Sequence, residues 1–441
     1  MDQFDILIVG AGTAGCVAAT TAAKKGLKTC VVDCKPKDKI GEKICGDAIG
    51  SHHFKELRIP PPKGEDFNSE ITGVKTYSPD LSSVFVITGP GVSGFIVNRH
   101  NFGQRLLKET LDSGVELYDS TLVTAPLIEA GYVKGVVTQN VKERQKRIFR
   151  GKVIIDASGV SAAIRRNLPD EFTIEKEVSK TDIMACYREI RADVDMEKGY
   201  CQIYLNQSVA QGGYFWIFPR SGKSANVGVG VQSGRTNLHP KTQLYNHVLS
   251  QPMFKGTTIL DAGGGYVTTR RPLSCLVGEG VMLVGDAACL VNPIHGGGIG
   301  PSMISGRIAA EVASEAIEKG DLSTKGLWRY NTDYMKAYGA KQAGLDLFRI
   351  FLQGISDEEL NYGMKQRLVK ESDVLRASLD GDLGLSITEK AERALKSIRK
   401  PDFLIRLRDT AKKMRRMKKH FLNYPNLEDY STWRTKIESL Y

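Results

Sequence analysis

The beginning of this chain constrains its fold most. Phe4-Asp5-Ile6-Leu7-Ile8-Val9 is an apolar run that enters Gly10-Ala11-Gly12-Thr13-Ala14-Gly15, and a second apolar run, Val31-Val32, closes on Asp33 and Cys34. This order reads as buried strand, glycine turn, helix, second strand and acidic strand end. Gly10 permits the tight turn, Gly12 lets a pyrophosphate approach bare backbone, and Gly15 lets the helix sit close to the sheet. Thr13 and Ala14 open that helix, whose free N–H groups and positive dipole end favour a phosphate. Asp33 follows roughly 20 residues after the turn, where a carboxylate accepts ribose hydroxyls. A glycine turn without a ligand is the competing reading. The strand, helix and acid in register argue for a dinucleotide.

Two later segments repeat the theme. Val153-Ile154-Ile155-Asp156-Ala157-Ser158-Gly159 is an apolar strand ending in an acid and a glycine. Gly280-Val281-Met282-Leu283-Val284-Gly285-Asp286 is another, followed by Pro293, Gly296-Gly297-Gly298-Ile299 and a helix from Gly300. Acids at the carboxyl ends of parallel strands face the ligand crevice of an open sheet. Asp286 is therefore expected to accept hydroxyls of a sugar-like chain, with Gly297 and Gly298 bringing backbone N–H groups to a second part of the ligand. One ligand reached at two distant points is a long molecule such as FAD.

The expected fold is α/β: a Rossmann-like FAD-binding domain, an inserted antiparallel β-rich substrate domain and a C-terminal helical region. The FAD-binding part is expected over 1–60, 91–165 and 272–326. The inserted part is expected over 61–90, opened by the break Pro60-Pro61-Pro62-Lys63-Gly64, and over 166–271. Its clearest strands are Tyr200–Leu205, Tyr214–Phe218 and Ala225–Val231. Helices are expected at Gly103–Ser113 and Gly300–Glu318. From 327 to 441 the pattern is helical, and Leu427–Tyr441 reads as a short polar and aromatic tail.

The 441 residues carry a formal charge of +11, much of it between Arg399 and His420. That run is a solvated helix face, or else a surface for an anionic membrane or an acidic protein. No nucleic-acid recognition module surrounds it. No run of roughly 18 apolar residues suggests a membrane span, and the early strand leaves no room for a signal peptide, so a cytoplasmic protein is expected. The eight cysteines include no CxxC pair, which leaves zinc or an iron–sulfur cluster without support. Cys275 and Cys289 remain open as a pair.

The motifs Gly10–Gly15 with Asp33, Asp156-Ala157-Ser158-Gly159, and Gly285-Asp286 with Pro293 resemble the FAD-dependent aromatic hydroxylase and geranylgeranyl reductase superfamily. By that resemblance Arg99 helps hold the cofactor, Val123 lies on the adenine-contacting strand, and bound FAD carries the redox chemistry. Two segments choose the branch. Gly41-Glu42-Lys43-Ile44-Cys45-Gly46-Asp47 resembles the Lys-x-Cys-Gly loop of geranylgeranyl reductases, with Asp47 where a second glycine is common. Tyr214-Phe215-Trp216-Ile217-Phe218-Pro219 matches their Tyr-x-Trp-x-Phe-Pro motif. Related halogenases carry Trp at the position of Tyr214.

On a strand, Tyr214, Trp216 and Phe218 share one face, an apolar wall suited to an isoprenoid chain or a sheet packing on its own core. The resemblance implies hydride transfer from reduced FAD to a geranylgeranyl double bond, with a matching proton. Cys45, Gly46 and Asp47 are the candidate catalytic segment. Cys45 is read as proton donor, positioning group or plain buried thiol. His52 and His53 are more simply helix caps or surface residues. Lys43 and the C-terminal basic run are candidates to meet a substrate phosphate or an anionic membrane. With a single dinucleotide fingerprint, electrons are expected from a visiting NAD(P)H or from reduced ferredoxin. The expected substrate is a geranylgeranyl lipid, with peripheral contact at the inner membrane face as a further option. The rival readings are an aromatic-ring monooxygenase and a non-enzymatic isoprenoid-lipid binding flavoprotein.

Overall fold

A computed structural model describes residues 3–89, 91–383 and 400–441. The expected boundary at Pro90, the start of the basic run at Arg399 and the helical reading across 384–399 lie outside the described residues.

In chain order the strands are β1 (Gln3–Val9), β2 (Thr29–Val32), β3 (Ala48–Gly50), β4 (Phe67–Ile71), β5 (Gly73–Tyr77), β6 (Val84–Thr88), β7 (Gly94–Val97), β8 (Glu116–Tyr118) and β9 (Thr121–Glu129). They continue as β10 (Tyr132–Asn140), β11 (Lys146–Asp156), β12 (Ile183–Ala192), β13 (Tyr200–Tyr204), β14 (Tyr214–Pro219), β15 (Ser224–Gln232), β16 (Thr258–Thr268), β17 (Val277–Gly278) and β18 (Val281–Leu283).

The first sheet has the order β17-β18-β11-β1-β2-β8, extended by β10 and β9. β1 runs parallel to both β2 and β11, and β11 parallel to β18. Flanked on both sides and covered on both faces, Ile6, Leu7 and Ile8 are wholly buried, which is why this strand reads as an unbroken apolar run. The helix Thr13–Lys24 leaves its carboxyl end and packs against the helix Ile299–Lys319. Glycine is required at the contacts. A β-carbon at Gly10 (φ 104°) would lie 2.5 Å from the Ala157 carbonyl oxygen; one at Gly15 would strike the Gly10 carbonyl, and one at Gly306 the Ala14 carbonyl. Ala14, Ala18, Ala19 and Ala22 keep the same interface thin and buried.

The second sheet has the order β16-β12-β15-β14-β13-β5-β6 and is antiparallel except where β5 pairs β13. The expected strands of the inserted region all fall in it. β4, in the same 61–90 segment, does not: it joins β3 and β7 in a separate three-stranded sheet. That small sheet carries the chain from the Cys45 loop to Arg99.

The C-terminal region is tied down by polar clamps. Arg349, on the helix Ala340–Gln353, reaches Asp182 at 2.9 Å and Asp346 at 2.8 Å. Tyr424 and Tyr430 donate to the carbonyl and the hydroxyl of Ser274, whose N–H and hydroxyl in turn go to Glu175, which also accepts from Arg270 and Arg271. The guanidinium charges and these donors outweigh the burial of Glu175 and hold its pKa well below the usual carboxylate range. The helix Pro401–Leu422 buries Phe403, Leu407, Ala411, Met414 and Phe421 along one stripe and exposes Arg408, Lys412, Arg416 and Lys419. Among the described residues no helix is long and apolar enough to cross a membrane.

One expectation changes and one open question closes. Leu427–Tyr441 is not a loose tail: it holds a helix, Tyr430–Glu438, whose Trp433 stacks on His420 (4.7 Å) and packs on Phe421 and Tyr424. Its short length and its charged residues hid an aromatic core contact. Cys275 and Cys289 are both free and buried; Cys275 donates instead to the Val277 carbonyl. Trp433→Ala is expected to destabilise the protein by about 3–5 kcal/mol, read as a lower midpoint of denaturant unfolding.

Candidate active site

The carboxyl end of the parallel sheet, the Cys45 loop and one face of the second sheet enclose a cavity of about 330 Å³. It touches Cys45, Gly46, Asp47, Arg99, Asp286 and Gly297–Ile299, and its far wall is Tyr214, Trp216 and Phe218. The three rings do share one face of β14, at centroid separations of 6.0 and 6.3 Å. The loop lies directly on them: a β-carbon at Gly46 would come within 2.9 Å of Phe218 Cε2.

A fully buried asparagine, Asn226 on β15, joins loop and wall. Its Oδ1 accepts from the Trp216 indole N–H at 2.9 Å, while its Nδ2 donates to the Cys45 carbonyl at 2.8 Å and to Asp47 Oδ2 at 3.0 Å. Arg220, the residue after Pro219, adds an ion pair to the same Oδ2 at 2.9 Å. Asp47 takes a left-handed backbone (φ 65°), which explains why a glycine suits the position elsewhere. Its Oδ1 is buried without a partner. Burial pushes the Asp47 carboxyl up, against the pull of Arg220, Arg188 and Arg99. Burial, reinforced by the Asp47 charge, also pushes the Cys45 thiol up; its sulfur accepts the Asp47 N–H at 3.3 Å.

The nucleotide side has open capacity. Space beside Gly12 is clear of atoms. Arg99, at the start of the helix Arg99–Asp112, is buried with Nε and Nη1 unpartnered, a costly state for a guanidinium unless an acceptor arrives. Asp33 is half-buried, accepting from Ala11 N–H at 2.6 Å and Lys35 N–H at 2.8 Å, and Cys34 beside it is exposed. Asp286 closes β18 and pairs with Lys43 at 2.7 Å. Val123 is buried on β9 and Pro293 is buried ahead of the three glycines. These donors, the clear space and the strand-end acids fit a long dinucleotide such as FAD.

Asp156 departs from expectation. Its carboxylate is wholly buried and takes the Ser158 N–H and hydroxyl and the Ile164 and Arg165 N–H groups. It shapes the turn at Gly159 rather than facing the crevice. His52 is exposed, as a surface histidine would be, and lines the cavity; His53 also lines it but is buried, with its pKa pushed down to about 3 by burial and by its neighbours His52, Lys341 and His295. The sequence reading missed Asn226, Arg220, Arg188, His295, Tyr338 and Lys341. Arg220 alone had a signal, as the residue following the aromatic motif.

The sequence profile of the geranylgeranyl reductase catalytic domain matches residues 182–267, and that of FAD dependent oxidoreductases matches 5–166. A digeranylgeranylglycerophospholipid reductase of Sulfolobus acidocaldarius is 40% identical over 99% of this chain and 97% of its own. The chain belongs to the digeranylgeranylglycerophospholipid reductase family. Another member, from Methanoculleus marisnigri, is 31% identical over 76% of this chain and 82% of its own. A solved geranylgeranyl bacteriochlorophyll reductase-like protein of Thermoplasma acidophilum superposes with TM-score 0.78 at 26% identity, covering 93% of this chain and all of its own. A flavin-dependent brominase shares the fold alone (TM-score 0.63, 18% identity, 94% of this chain and all of its own).

Asn226→Ala strands the Trp216 N–H, the Cys45 carbonyl and part of the Asp47 carboxyl at once. It is expected to cost about 3 kcal/mol, measured by denaturant unfolding, with a shift in tryptophan emission.

Proposed function

We propose that this chain is a flavin-dependent reductase that hydrogenates C=C bonds of geranylgeranyl chains on archaeal-type ether glycerophospholipid precursors. The observation that carries the reading is one cavity joining the FAD-side groups Asp286, Gly297 and Arg99 to the aromatic wall and the Cys45–Asp47 loop. FAD, once bound and reduced, supplies the hydride. Gly10–Gly15 with Thr13 and Ala14, Asp33 and Cys34, Arg99, Val123, the Asp156–Gly159 turn, Gly285-Asp286, Pro293 and Gly297–Ile299 hold it.

The protein has the rest of the work. Tyr214, Trp216 and Phe218 form the wall along which the alkene lies, and Gly46, with no side chain, lets the Cys45 loop close on Phe218. An isolated alkene has no carbonyl to polarise, so exclusion of water and close placement matter most. As one carbon gains hydride, the other must gain a proton. Asp47 is the acid we assign. Burial favours its protonated form, and Asp47 lines the cavity with its Oδ1 unengaged by any protein donor, whereas the Cys45 thiol, also pushed up, is the weaker acid and acts as a positioning group. After transfer Arg220 and Asn226 stabilise the Asp47 carboxylate until a solvent proton restores it. Saturating a whole chain takes several rounds, so the substrate slides along the wall or rebinds.

Reduced ferredoxin or NAD(P)H is the proposed electron source. The exposed Arg408, Lys412, Arg416 and Lys419 support contact with an acidic carrier or the inner membrane face. Family membership favours reduction over ring hydroxylation, and the acid beside the wall favours turnover over passive lipid carriage.

The purified protein is expected to show oxidised-flavin absorption. Reduced without oxygen, it should raise the mass of a geranylgeranyl lipid in two-hydrogen steps; a colourless protein, or turnover only with oxygen, would refute the reading. Asp47→Asn should slow anaerobic single turnover about 10²–10⁴-fold while flavin absorption and dithionite reduction persist, and Cys45→Ala should cost less.

A further inference from the structure

A second pair of charges borders Asp47. Arg188 and Cys186, two residues apart on β12, both line the cavity. Arg188 stands opposite Gly228 of β15 on one side and Gly263 of β16 on the other. A β-carbon at Gly263 would strike the Ile44 side chain, and one at Gly228 the Trp216 ring. The two glycines thus admit the Cys45 loop and the aromatic wall to either side of Arg188.

The charge of Arg188 is only partly offset. Its side chain is 5% exposed, and Nη1 pairs at 2.7 Å with Asp261, a carboxylate 58% exposed on the edge strand β16. Its Nε is buried without a partner. Water screens the exposed carboxylate well and the buried guanidinium poorly, so the remaining field of Arg188 reaches inward. Asp47 lies there, on the same cavity. Arg220, in the turn between β14 and β15, holds its Oδ2 at 2.9 Å, while Arg188 and Arg99 pull on it from farther away. The other groups at Asp47 are the Cys45 thiol of its own loop and the uncharged Asn226; Lys43 is committed to Asp286. As an acid, Asp47 begins neutral and ends charged. A fixed cation nearby stabilises that end state and loosens the proton, but too strong a cation strips the proton before the alkene arrives.

We propose that Arg188 and Asp261 regulate the charge at Asp47: the buried guanidinium is a positioning residue that stabilises the Asp47 carboxylate, and the exposed Asp261, by holding one side of it, limits how strongly it does so. The inference rests on the reductase reading and deepens it.

The test measures anaerobic single turnover of the flavin-reduced enzyme on a geranylgeranyl lipid across pH. In parallel, infrared spectra follow the protonated Asp47 carboxyl, identified by its loss in Asp47→Asn. Turnover needs protonated Asp47, so the rate falls as pH rises through its pKa. Asp261→Asn, a change at an exposed side chain, is expected to move that fall about half a pH unit or more to lower pH, because the freed guanidinium favours the carboxylate. Arg188→Gln should move it about one pH unit to higher pH, and Arg188→Lys should restore most of the wild-type position. In the double variant with Arg188→Gln, Asp261→Asn should lose most of its effect. A merely structural contact would lower the rate at every pH and leave the position of the fall unchanged. Asp261→Asn decides the matter by itself if Arg188→Gln does not fold. The infrared titration needs no turnover and so separates the two readings. Opposite shifts of the carboxyl titration with turnover intact in Asp47→Asn would support the regulator and remove Asp47 as the acid. Turnover lost in Asp47→Asn, with no shift in Asp261→Asn or with both charge variants shifting the same way, would overturn the regulator alone.

Discussion

The site depends on the three-way grip of Asn226. One amide orients the indole of the wall, the backbone of the Cys45 loop and the carboxyl of Asp47. Each of those groups is polar and enclosed, so each must find a partner inside the protein. Satisfying them through a single side chain fixes their relative positions. Arg220 adds charge to the same point, and Gly46 lets the loop lie on Phe218. The catalytic loop is thus carried by the second sheet, although it is covalently part of the nucleotide-binding region.

The two halves of the molecule reach the cavity by different physics. The nucleotide half places its groups by strand ends: Asp33 and Asp286 close parallel strands, and glycines keep the backbone bare beside them. Its polar groups are left short of partners, most clearly at Arg99. The second sheet instead offers side-chain bulk on one face of β14. Between them the cavity is apolar along the wall and charged at defined points. A long hydrocarbon chain with a polar head suits such a space, with affinity drawn from apolar burial and orientation from a few charges.

The nucleotide motifs were legible because they are local. Gly10, Gly12, Gly15 and Asp33 lie within one strand–helix–strand unit, and the requirement for each is set by neighbours close in sequence. The ring alternation of Tyr214, Trp216 and Phe218 is likewise a property of a single strand. Asp156 shows the limit. An acid at a strand end reads the same whether it faces a ligand or ties its own turn, and its four protein donors were invisible to that pattern. His53 shows it from the other side: beside the exposed His52, nothing in the local sequence signals that it will be buried.

By itself, the sequence determined the parallel nucleotide-binding unit, the face of the aromatic strand and the kinship these motifs imply, because periods of two and 3.6 residues and glycine turns are written in consecutive residues. Only the tertiary structure decided that Asn226 and Arg220 hold Asp47, that the last fifteen residues close on an aromatic core, and that Lys341 shares a cavity with Cys45 from nearly 300 positions away. The physical reason is that burial, unmet hydrogen bonds and isolated charge are properties of an enclosed volume, and they exist only once distant segments have surrounded it.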